Sequence, residues 1–175
     1  MAGRGETASD FTLVGTGGDT VREFTLSEFA EGHPTVLVFY IYDYSPVCTV
    51  QMCEVNDAEF LTFDPEVRVL GISTDGPYSH QQFMSDNNLS YPLLTDDEKR
   101  VYEDYGMVER AENGVREPKR GVVLLDGDRT VRYRWEAEDN WDEWDTQPIA
   151  EVNSRVGELA GDDGDEWSLV DDGGG

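Results

Sequence analysis

Two short apolar runs, Thr35-Val36-Leu37-Val38-Phe39-Tyr40-Ile41 and Val67-Arg68-Val69-Leu70-Gly71-Ile72-Ser73, flank a segment with helical patterning and leave this chain few folds to choose from. Runs of this length, apolar nearly throughout and rich in β-branched residues, read as strands covered on both faces. Cys53, Val55, Ala58, Phe60 and Leu61 supply the apolar positions of the helix between them. Strand, helix, strand in that order implies two parallel strands joined by a right-handed crossover.

The flanking sequence extends this unit. Phe11-Thr12-Leu13-Val14 and Thr20-Val21-Arg22-Glu23-Phe24 surround a Gly-rich turn and read as a β-hairpin. Ser27 is placed to cap a short helix, which Gly32-His33-Pro34 ends. Tyr78 to Asn88 reads as a helix, Leu93-Leu94 as a short strand, and Lys99 to Tyr105 as a helix stopped by Gly106. Gly121 to Asp126 and Thr130 to Trp135 form a second hairpin, followed by a helix from Pro148 to Leu159. The order predicts an α/β fold with a mixed central sheet, helices on both faces and an N-terminal β-hairpin extension. One domain over residues 1–160 is expected, with 161–175 an acidic, Gly-rich and disordered tail around Trp167-Ser168-Leu169-Val170.

Charge narrows the partners. The 38 Asp and Glu against 13 Lys and Arg give a net charge of −25, and only Lys99 and Lys119 are lysines. Nucleic acid and anionic membranes are therefore poor partners. Self-repulsion on this scale opposes compaction in dilute buffer, whereas at molar salt the screening length falls to ~3 Å. Acid-rich, lysine-poor usage of this kind resembles proteins of salt-accumulating archaea. No run approaches the ~18 apolar residues of a membrane span and the start lacks a basic-then-apolar signal, so a soluble, cytoplasmic protein is expected.

The two cysteines, Cys48 and Cys53, lie where the first buried strand hands over to a helix. Amides at a helix N-terminus favour a thiolate there, although on burial alone a cysteine in such a place is more often a small core residue. His33 and His80 fall in a turn and near a helix start with no visible partner, so both are expected to face solvent and a Cys–His hydrolase is disfavoured. Two cysteines and two dispersed histidines also miss the spacing of a zinc site. Of Tyr40, Tyr42 and Tyr44, some should face the core and Tyr44 could line the site. Trp135, Trp141 and Trp144 are expected to pack over a sheet edge.

The segment Tyr44-Ser45-Pro46-Val47-Cys48-Thr49-Val50-Gln51-Met52-Cys53 resembles the active-site loop of the Q-type, or bacterioferritin-comigratory, peroxiredoxins, which have the thioredoxin-like fold. Asp10-Phe11-Thr12-Leu13, Gly71-Ile72-Ser73-Thr74-Asp75, Tyr91-Pro92-Leu93-Leu94-Thr95-Asp96, Tyr105-Gly106 and Arg120, six residues before Asp126, follow in matching order. The resemblance spans roughly Ala8 to Leu159. It implies that Cys48 attacks a peroxide as thiolate, that Cys53 resolves the resulting sulfenic acid as a disulfide, and that a thioredoxin-like reductant resets the pair. Ser45, Arg120 and the Cys48 amide are the implied donors to the peroxide, without metal or organic cofactor. Relatives occur as monomers and homodimers, and both states are open here.

A lowered pKa contributes little of the rate. For any thiol, a fall from ~8.5 to ~6 raises the thiolate fraction at pH 7 about thirty-fold, while a Brønsted slope of ~0.45 removes about thirteen-fold in nucleophilicity. Positioning of the peroxide and stabilisation of its leaving oxygen must supply the rest. Where the family pattern has proline seven residues before the cysteine, this chain has Ile41, which is expected to keep the apolar cover without the fixed φ. Residues five apart on an intact helix are about 8.6 Å apart at Cα, beyond the ~7 Å limit of a disulfide, so the first helical turns must unwind before Cys48 and Cys53 can join. Two other functions use the same pair. A thiol-disulfide oxidoreductase is disfavoured by the four-residue gap, and a non-enzymatic redox switch would bias a partner.

Overall fold

The computed structural model describes residues 3–58, 66–141, 144 and 146–163, the side chains of 160–163 excepted. In chain order the elements are β1 (Thr12–Thr16), β2 (Val21–Thr25), α1 (Leu26–Ala30), β3 (Thr35–Phe39), α2 (Pro46–Asn56), β4 (Arg68–Ser73), α3 (Pro77–Asn87) and β5 (Leu93–Thr95). There follow α4 (Arg100–Asp104), β6 (Val108–Arg110), β7 (Arg116–Pro118), β8 (Gly121–Leu125), β9 (Val131–Glu136) and α5 (Gln147–Asp163).

Seven strands form one mixed sheet in the order β2-β1-β5-β4-β3-β8-β9. β3 pairs in parallel with β4 and β4 with β5, while β1, β2, β8 and β9 join antiparallel, as the strand-helix-strand pattern predicts for the centre. Every residue of β3 and β8 is buried, because helices cover both faces. Alternation along β3 divides the core. Val36, Val38 and Tyr40 pack with Cys48, Met52 and Val55 of α2, Phe83 of α3 and Val152 of α5. Leu37 and Phe39 face the other way, onto Leu26 of α1 and Tyr102 of α4. α2 lies close on the sheet because Gly71 lacks a Cβ, which would stand 2.8 Å from Met52 Cε and 2.6 Å from Leu93 Cδ2.

Several expectations shift in detail. The β3 ladder stops at Phe39, two residues early, because the chain turns out of the sheet after Tyr40 N–H donates to Ile72 O. Thr25, not Ser27, precedes α1, and no side chain caps it. Ser27 instead donates through its hydroxyl to Asp10 Oδ2 at 2.7 Å and through its amide to Oδ1. α2 ends at Asn56, with Asp57 as its C-cap. Phe60 and Leu61 lie outside the described residues, as does the tail from 164 onward with its Trp167-Ser168-Leu169-Val170 patch. The β6–β7 hairpin carries too few apolar residues to stand out in the sequence. Among the described residues no helix is long and apolar enough to cross a membrane.

Candidate functional site

After β3 the chain runs through the loop Tyr40 to Ser45 into α2, with Pro46 opening the helix and Ser45 as N-cap. Ser45 Oγ accepts from Cys48 N–H at 3.1 Å, the capping bond its position allows. Cys48 thus sits in the first turn of α2, without exposed surface. The loop is held hard against the rest of the fold. Tyr44 has φ of 70°, a left-handed conformation uncommon for a residue with a Cβ, and its hydroxyl donates to Asp86 Oδ2 of α3 at 2.6 Å.

Two donors from distant parts of the chain meet the Cys48 sulfur. Arg120, immediately before β8, brings Nη1 to 3.2 Å from Sγ, and the Ile41 main-chain N–H donates from 3.4 Å. Arg120 is 1% exposed and its guanidinium is fixed by Gln51 Oε1 and by the Asn140 carbonyl, at 3.2 Å from Nε and 2.5 Å from Nη2. Asn140 Oδ1 also accepts from the Arg120 amide. The Gln51 and Asn140 partners are all neutral. Among the described residues no ion pair includes this arginine. A guanidinium buried without an anion carries a large desolvation cost, and the group beside it that can become an anion is Cys48.

Cys53, on the same helix, is partly exposed and unpaired with Cys48. Its Sγ approaches Asn87 Oδ1 of α3 at 3.7 Å. Burial, and after it the Asp57 carboxylate, push the Cys53 thiol above its ordinary pKa. The structure therefore brings Ser45, Cys48 and Arg120 together and leaves Cys53 outside that cluster.

His80 corrects the sequence expectation that it faces solvent. It is fully buried, with Nδ1 2.8 Å from Asp43 Oδ2 and Nε2 3.1 Å from the Leu94 carbonyl. Tyr40 Oη and Ser79 Oγ each donate to Asp43 at 2.7 Å, and the Asp43 amide donates to Asp75 Oδ2 at 2.6 Å. This network pins the loop before α2 to α3, and burial, then the Asp43 charge, raise the Tyr40 hydroxyl well above its usual pKa. Asp43 and His80 are 37 residues apart in the chain, and neither carries a local pattern that announces the other. His33 is partly exposed, with Nδ1 3.2 Å from Glu66 Oε1. Tyr40 is buried, whereas Tyr42 and Tyr44 are each 49% exposed. Trp135 and Trp144 meet edge to face and pack against the core, but Trp141 stays exposed and stacks on Tyr42.

No group of three or more His, Cys, Asp or Glu among the described residues is arranged to hold a metal ion. The AhpC/TSA family profile matches residues 4–134. Peroxiredoxin Bcp of Bacillus subtilis is 30% identical over 134 residues, covering 75% of this chain and 83% of the relative. The chloroplastic peroxiredoxin Q of rice is 33% identical over 130 residues, 74% of this chain, which spans 57% of the rice protein. Among solved structures, peroxidoxin BcpB of Mycobacterium tuberculosis superposes with a TM-score of 0.72 at 28% identity, covering 91% of this chain and 97% of the other. Peroxiredoxin Q of Xanthomonas campestris, at 23% identity and a TM-score of 0.71, shares the fold.

Proposed function

Because the chain belongs to the AhpC/TSA family and is a peroxiredoxin, we propose that it reduces hydrogen peroxide or alkyl hydroperoxides through Cys48, with Cys53 as resolving thiol. The observation that carries this reading is the buried Arg120, whose sole hydrogen-bond partner able to carry negative charge, among the described residues, is the Cys48 sulfur. The thiolate attacks one peroxide oxygen, the O–O bond breaks, and the departing alkoxide or hydroxide takes a proton and leaves as alcohol or water. Cys48 is then a sulfenic acid. The Cys53 sulfur displaces that hydroxyl as water, forming the Cys48–Cys53 disulfide, and a thioredoxin-like dithiol returns two electrons and two protons.

Three donors were expected at the peroxide, and the geometry divides them. Arg120 Nη1 is within 3.2 Å of the sulfur, close enough to reach an oxygen bound against it. Ser45 accepts from the Cys48 amide, which leaves its own hydroxyl proton free to donate. The Cys48 amide is committed to Ser45 and can serve a peroxide only if that cap bond opens. Since Cys48 has no exposed surface, access to the sulfur requires part of the loop to move, and the left-handed Tyr44 is where that loop stores strain.

We place the protein in a salt-rich cytoplasm, as one domain over residues 1–160, in which screening relieves the −25 charge and soluble thiol reductants are available. Rapid mixing with hydrogen peroxide at molar salt tests the roles. Wild type should turn over with a thioredoxin-type reductant, Cys53→Ser should consume one equivalent, and Cys48→Ser none. One equivalent consumed by Cys48→Ser would overturn the assignment.

A further inference from the structure

We infer that the main-chain N–H of Ile41 is a positioning group of the peroxidase site, a second donor to the Cys48 sulfur that a proline at this position would lack. It deepens the reading of Cys48 as attacking thiolate and rests on it.

Ile41 is 3% exposed, and its N–H points at Cys48 Sγ from 3.4 Å. The neighbouring amide of Tyr40 is spent on the sheet, through Ile72 O, and the Cys48 amide on Ser45 Oγ. A buried N–H must find an acceptor, and this one finds the sulfur. As thiolate the sulfur is a charged acceptor, and bonds to charged groups are the stronger kind. Arg120 approaches it from a different element at 3.2 Å. Two donors from separate directions leave the sulfur little freedom to swing.

A proline has no N–H and would put ring carbon where the hydrogen now faces the sulfur. Where the family pattern has proline, this chain has gained a hydrogen bond in its place. The bond also accounts for the early end of β3, since the Ile41 N–H leaves the sheet for the sulfur.

The thiolate absorbance near 240 nm, followed against pH in the Cys53→Ser background, tests the assignment without reference to peroxide. Among the described residues, Arg120 lies against the sulfur and Tyr102 is coupled to it electrostatically. The first stays charged and the second is raised well above its usual range by burial, so the titration belongs to Cys48. Ile41→Pro should move the midpoint upward, reducing the ionisation constant about tenfold. Ile41→Val, which keeps the amide, should keep the parent midpoint. If the proline variant does not fold by circular dichroism, replacing the Tyr40–Ile41 amide by an ester removes the same hydrogen and should give the same shift. An unchanged midpoint in the folded proline or ester protein overturns the inference. A tenfold shift in a protein that consumes no peroxide would support the amide's role while refuting the peroxidase reading.

Discussion

Cys48 and Cys53 share one helix, yet their surroundings differ in almost every respect. Cys48 is sealed in the first turn, with a guanidinium and a main-chain amide turned toward its sulfur and a hydroxyl on its own amide. Cys53 sits partly exposed farther along, faces the acceptor oxygen of Asn87, and is pushed toward its neutral form by burial and Asp57. One sulfur is met by two donors and the other faces an acceptor. An attacking sulfur needs fixed donors at the moment of reaction, whereas a resolving sulfur needs to move, and contacts as tight as those at Cys48 would prevent that.

The largest expected difference is in turnover. Cys48→Ser should reduce peroxide consumption at least ~10³-fold, while Cys53→Ser should spare the first turnover and halt the second, as stopped-flow peroxide loss would show. Equal loss in both variants would erase the asymmetry. Next comes Arg120→Met, expected to slow the first turnover ~10²- to 10³-fold by removing a preorganised charged donor. Arg120→Lys should recover little of it, since an ammonium cannot hold Cys48, Gln51 and Asn140 at once.

Smaller effects fall on stability. His80→Leu leaves Asp43 buried without its histidine and should cost ~3 kcal/mol in denaturant unfolding, chiefly by loosening the loop before Cys48. Ser45→Ala should cost ~1 kcal/mol through the lost cap, with a modest fall in peroxide rate. At the other cysteine the sign reverses with pH. A thiol whose pKa is raised is still protonated where an ordinary one ionises, so disulfide closure after a peroxide pulse should keep accelerating with pH beyond the ordinary thiol range. A rate that is flat above neutral pH would contradict the environment assigned to Cys53.

The sequence carried the sheet's centre because β3 and β4 are apolar nearly throughout and short, and it carried Ser45, Cys48 and Arg120 through motif order. It misplaced His80 because burial of a histidine depends on a partner, Asp43, that only the packing of α3 against the loop supplies. The Ile41 contact was invisible for a similar reason. Side-chain identity predicts apolar cover at position 41, whereas the hydrogen bond belongs to the backbone and depends on where the chain leaves the sheet. The β6–β7 hairpin was lost because its strands are short, largely charged and exposed.

With the thiols free, the two cysteines share the intact helix α2, and by helix geometry a disulfide between them requires its first turns to unwind. Amide hydrogen exchange through residues 46–56, measured before and after stoichiometric peroxide with the Cys48–Cys53 disulfide quantified in parallel, tests it directly. Protection in the stretch from Cys48 to Cys53 should collapse as the bond forms. Full disulfide with undiminished protection there would contradict it.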